Sequence, residues 1–138
     1  MEADINSAAQ AQEDSHLAAR LAAAERVITG TVSGPHALPR QPGEPISEHE
    51  PQWWSATVRV EKVHKGESKG ATENVVFSNS KDVAWHKSPK LKDGDRGVFL
   101  LHSKDHQGRP TPGLAVVHPL DFQPIEQEPR VQRLLQAQ

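Results

Sequence analysis

The sequence predicts a mainly β chain, a small closed barrel of five strands with a helix before it and a short helix after it. Three observations predict this. From Trp53 to Val63 apolar and polar residues alternate with period two, Trp54, Ala56, Val58 and Val60 on one face and Trp53, Ser55, Thr57, Arg59 and Glu61 on the other. Four other short runs rich in β-branched and apolar residues (26–32, 74–78, 96–102 and 114–118) stand between Gly- and Pro-bearing segments. Finally, 138 residues suffice for one core but not two. Five short strands in so small a body bury a period-two face most economically by closing on themselves, which also removes exposed edges.

Each element follows in order. Residues 1–25 are rich in Ala, Gln and acids, with Leu17 and Leu21 four apart, so an amphipathic helix is expected. Ser7 and Gln10 have the spacing of a capping box, Glu13 with Asp14 offers the start of a shorter helix instead, and residues 1–16 are expected to be only partly ordered. Ile28, Gly30 and Val32 alternate with Val27, Thr29 and Thr31 as the first strand. Residues 33–52 hold five prolines and two glycines and read as a long exposed loop. Val63 falls out of parity with Val60, which predicts a bulge near Glu61 and Lys62. Gly30 marks the tight bend that strong coiling requires. Val98, Phe99, Leu100 and Leu101 form a run buried on both sides or covered by a helix. The barrel domain thus spans 17–122. Residues 123–138 carry the C-terminal helix, opened by Pro129, with Val131, Leu134 and Leu135 on one face.

Composition narrows the function classes. Sixteen bases against 18 acids give a net charge of −2, unlike a strongly basic nucleic-acid protein. With no cysteine, disulfide frameworks, thiolate metal sites and Cys nucleophiles are excluded. No apolar run approaches the roughly 18 residues of a membrane helix, so no membrane insertion is expected. The residues after Met1 are acidic and polar, unlike a signal peptide.

Three segments carry a resemblance: Glu25-Arg26-Val27-Ile28-Thr29-Gly30-Thr31-Val32, Ala56-Thr57-Val58-Arg59-Val60-Glu61-Lys62-Val63-His64-Lys65-Gly66 and Leu91-Lys92-Asp93-Gly94-Asp95-Arg96-Gly97-Val98-Phe99-Leu100-Leu101. Over residues 17–120 the chain resembles bacterial OB-fold proteins related to the netrin-like module of tissue inhibitors of metalloproteinases. The resemblance implies a five-stranded OB-like closed barrel and an exported protein, periplasmic or extracellular, whose signal has been removed. It does not imply protease inhibition, because the inhibitors' zinc-clasping N-terminal Cys has no counterpart here and function does not travel with fold.

Candidate sites follow from residue types. Parity sends Trp53 outward beside Ser55, Thr57 and Arg59; such a Trp either packs under a helix or the Pro-rich loop or offers a binding platform. Trp85 and His86 among Lys81, Lys87, Lys90 and Lys92 have the aromatic and basic character of a single-stranded nucleic-acid contact, or are a solvated loop anchored by a buried Trp. His102, Asp105 and His106, with His64, His86 and His118 on neighbouring strands, have donor types suited to a metal, or are surface histidines, as is His49. Phosphate loops, nucleophile elbows and His-Glu-x-x-His are absent from the sequence, so no enzyme and no cofactor are expected. The expectation is a non-catalytic module recognising a protein or peptide through Trp53, Ser55, Thr57 and Arg59 and the loop 33–52. Single-stranded nucleic-acid binding is the alternative, and metal binding through surface histidines a second one.

Overall fold

The structure is a computed structural model that describes residues 2–39, 53–67, 70–79, 87–105 and 108–138. Helix α1 (Glu2–Ala23) precedes strands β1 (Arg26–Ala37), β2 (Trp53–Lys65), β3 (Thr72–Ser78), β4 (Arg96–Lys104) and β5 (Pro110–Val116). A 3-10 turn (Pro119–Asp121), the short strand β6 (Phe122–Pro124), a second 3-10 turn (Ile125–Gln127) and helix α2 (Glu128–Gln136) complete it. The chain is mainly β, as its alternation predicts. Five strands form a ring in the order β1-β2-β3-β5-β4, with β4 returning to pair with β1. All pairings in the ring are antiparallel except that of β3 with β5.

Register shows how the ring coils. Thr29 pairs with Lys62 but Gly30 with Val60, so Glu61 is an extra residue, and the expected bulge lies there. A second shift leaves His64 extra between Val63 and Lys65, and Val63 is turned to solvent at 39% exposure. At Gly30 the strands approach so closely that a Cβ would lie 2.4 Å from the Arg59 carbonyl oxygen. Only glycine fits there.

The alternation divides the apolar side chains between two places. Ile28, Val32, Ala56, Val58, Val75, Phe77, Phe99, Leu101 and Val116 fill the ring, with Trp54 packed on Phe77 at 6.3 Å between ring centroids. The Trp54 indole N–H is buried without an acceptor among the described residues, a cost that the apolar packing around it offsets. Outside the ring, Val27, Val98 and Leu100 meet Leu17 and Leu21 of α1 and Val131 of α2. The 98–101 run is therefore buried on both sides, half within the ring and half beneath helices. Complete burial of Leu17 and Leu21 contributes about 1.5–3 kcal/mol each. Lys65 of β2 donates from Nζ to the carbonyls of Leu21 and Ala22, capping α1 at its negative end. Asp14 joins α1 to Arg130 and Arg133 of α2.

Three expectations need correction. Residues 33–37 are not loop: β1 continues to Ala37, passing Gly34 and Pro35 through a register shift between Ser33 and His36 that absorbs the residues least suited to a ladder. Leu38 and Pro39 follow it outside any strand, and residues 40–52 of the expected loop lie outside the described residues. A sixth strand exists, Phe122–Pro124 on Gly97–Phe99, too short for its alternation to be read. Neither start offered by the sequence holds: helix α1 begins at Glu2 and runs through Ser7 and Glu13, because a box spacing marks a start only where the chain before it leaves the helix.

Candidate functional site

Residues directly opposite one another on antiparallel strands share a face, so the register assembles the outer surface of β2 row by row. Thr31, Arg59 and Thr72 form one row; Ser33, Thr57 and Asn74 the next; His36, Ser55 and Val76 the third; and Trp53 lies beside Ser78. The four residues singled out from parity therefore do share a face, but it has two halves. Trp53 is half-buried against Leu38, Val76, Ala115 and Val117, and Ser55 is buried. Trp53 is thus a packed aromatic rather than a bare platform. Thr57 is half-buried, and Arg59, Thr72 and Asn74 line the more open half. The accessible half presents hydroxyl and amide groups around one guanidinium. Among the described residues Arg59 has no carboxylate partner, whereas Arg20, Arg26, Arg96, Arg109, Arg130 and Arg133 are each ion-paired.

A second constellation centres on Asp121, whose side chain is wholly buried. Arg20 of α1 approaches it as a fork, Nε donating to Oδ1 at 3.0 Å and Nη2 to Oδ2 at 2.7 Å. His102 Nε2 donates to Oδ1 at 3.1 Å, and the backbone N–H groups of Val117 and His118 donate to Oδ2 at 2.9 Å. Burial pushes this carboxyl up, but hydrogen bonds from His102 and Arg20, with their charges, outweigh it and hold it below its ordinary 3.8. His118 closes the same turn by accepting the Leu120 N–H at Nδ1, 3.0 Å away. This is a buried, fully engaged carboxylate that ties α1 to β4 and the 3-10 turn.

The third constellation joins Thr29 of β1, the bulged His64 of β2 and Glu128 of α2. The Thr29 hydroxyl donates to Glu128 Oε2 and accepts from His64 Nε2 at 2.8 Å, and Glu128 Oε2 lies 3.4 Å from the same ring nitrogen. A hydroxyl, an imidazole and a carboxylate suggest nucleophilic chemistry, but a triad needs the acid on one imidazole nitrogen and the hydroxyl on the other. Here both meet Nε2, and the hydroxyl proton is committed to the carboxylate. Burial holds the His64 imidazole below its ordinary value, and the Thr29 hydroxyl holds Glu128 below its own. The arrangement secures α2 to the sheet.

The other candidates disperse. His102 is buried on Asp121, while Asp105 accepts the Arg109 backbone N–H and its Nε. His106 lies outside the described residues, and among those described no three potential metal ligands converge. Lys81, Trp85 and His86 also lie outside them, as does His49. Lys87 is exposed, whereas Lys90 is half-buried and donates to Ser88 Oγ at 2.7 Å. Sequence reasoning missed Arg20, Asp121, Thr29 and Glu128. Of these only Asp121 carried a local signal: in His118-Pro119-Leu120-Asp121 an acceptor precedes Pro and an acid follows three positions on, the spacing of a capping box. No family model matches the chain, and no curated protein shows significant similarity to it.

Proposed function

We propose that the ring is a closed OB-like barrel of the bacterial netrin-like kind, and that the chain is a non-catalytic module binding a protein or peptide across the outer face of β2 and β3. An acidic group of the partner lies against Arg59, flanked by Thr57, Thr72 and Asn74, with Trp53 and Ser55 as the supporting floor. The Pro-rich segment between β1 and β2 is the second contact. One observation carries this: on a face that the apolar sides of α1 and α2 do not meet, Arg59 is exposed and, among the described residues, without a carboxylate, although each other described arginine has one. A guanidinium amid hydroxyl and amide groups is suited to a carboxylate and to backbone polar groups. The strand order with a parallel β3–β5 pairing supports the OB-like reading, and in that barrel type ligands cross the β2–β3 face. The committed hydroxyl of Thr29 supports a non-catalytic role.

The test is site-specific photo-crosslinking in cells that make the chain naturally, with the reactive side chain at Thr57 or Asn74 and, as control, at Gln12 on α1. One adduct of defined mass is expected from the first two positions, absent from the control and lost on Arg59→Glu in a protein whose circular dichroism is unchanged. No adduct from Thr57 or Asn74, or a yield indifferent to Arg59→Glu, would overturn the proposal.

A further inference from the structure

We propose that His118 is an acid-sensitive latch whose protonation undoes the 117–121 turn and unseats α1 from the sheet. The latch follows from which imidazole nitrogen is in use. His118 Nδ1 accepts the Leu120 N–H, and a ring nitrogen accepts only while it carries no proton. The imidazolium has donors on both nitrogens, so the cap and the charged form are incompatible. The surroundings sharpen this. Facing His118 are Arg20 and His16 from α1, His102 from β4 and Asp121 from its own turn. Asp121 is the only acid of the four, and its oxygens already accept from Arg20, His102 and two backbone N–H groups. A proton on His118 therefore meets the Arg20 guanidinium, and the one carboxylate nearby is already engaged. Burial, and then the Arg20 charge, hold the imidazole below its ordinary 6.5.

The turn is also the seat of the helix. The Val117 and His118 amides hold Asp121 Oδ2, and that oxygen receives Arg20 Nη2. When the cap opens, the cup around Asp121 loosens, and Arg20 loses the geometry that orients its fork. Because the folded-state pKa is depressed, the stabilisation is complete above about pH 6.5 and is lost as pH falls through the folded value.

Hydrogen exchange of the full chain at pH 7.5 and 5.0, corrected for intrinsic rates, tests the latch. Asn caps a turn with an oxygen that does not titrate, so His118→Asn is the decisive variant. In the unaltered protein the Leu120 amide and those of residues 17–24 should lose about tenfold protection at pH 5.0, the scale of a lost cap. His118→Asn should hold its protection at both pH values, and His118→Ala should lack it at both. An equal acid loss in His118→Asn, or no loss in the unaltered chain, would overturn the proposal. A second measurement needs no variant: the midpoint of the exchange change must coincide with the titration midpoint of the His118 ring protons, and separate midpoints would refute it.

Discussion

Replacing Asp121 with Asn removes one charge while keeping the side chain's shape, and the structure fixes what that costs. The amide retains one acceptor oxygen for five donors, and its own NH2 must face Arg20 together with either His102 or the Val117 and His118 N–H groups, all of which donate to the carboxylate. Removing one partner of a buried ion pair costs about 3–5 kcal/mol. The Arg20 side chain is 25% exposed, so water screens the stranded cation and the lower figure applies. At about 3–4 °C per kcal/mol for a chain of this length, Tm should fall by about 10 °C. Thermal unfolding followed by circular dichroism at pH 7 measures the drop. Because Asp121 titrates below its ordinary 3.8, its contribution is complete above that value and disappears as pH falls through the folded one. In a His118→Asn background, where the imidazole cannot intervene, the gap between proteins with and without Asp121→Asn should narrow only below pH 3.8. A Tm within about 3 °C of the unaltered protein at pH 7 would refute the reasoning, as would a gap that stays constant down to about pH 2.

Two further outcomes are expected. Gly30→Ala puts a methyl group 2.4 Å from the Arg59 carbonyl oxygen and 2.5 Å from Val58 Cγ1, in a ladder held on both sides, so urea unfolding should show a loss of about 3 kcal/mol or more; a loss under about 1 kcal/mol would mean the strands can part there. Lys65→Met removes the ammonium from the Leu21 and Ala22 carbonyls, and should cost about 1 kcal/mol in the same assay, with faster exchange in the last turn of α1; an unchanged midpoint would assign those carbonyls to water.

Much of the ring was legible because period-two alternation is decisive when one face is buried. Trp54, Ala56, Val58 and Val60 line or pack on the ring interior as their parity requires, and Gly30 and the bulge at Glu61 announce its curvature. The extension of β1 through Gly34 and Pro35 was not legible, since both are turn residues and only the partner strand reveals the shift that accommodates them. The β2 face could be identified from parity, but not which half of it is open, because Trp53 is covered by Leu38, Val76, Ala115 and Val117 from elsewhere in the chain. Arg20 and Asp121 are 101 residues apart. No local spacing connects them, and only the closure of β4 onto β1 brings α1 over the 117–121 turn.

That separation also orders events during synthesis. At about 5–20 residues per second, α1 leaves the ribosome some 5–20 s before Asp121 and Val131 exist to receive it. Throughout that interval the apolar faces of Leu17 and Leu21 lack the Val131 contact that completes their cover, so the seating of α1 waits on a segment made about a hundred residues later.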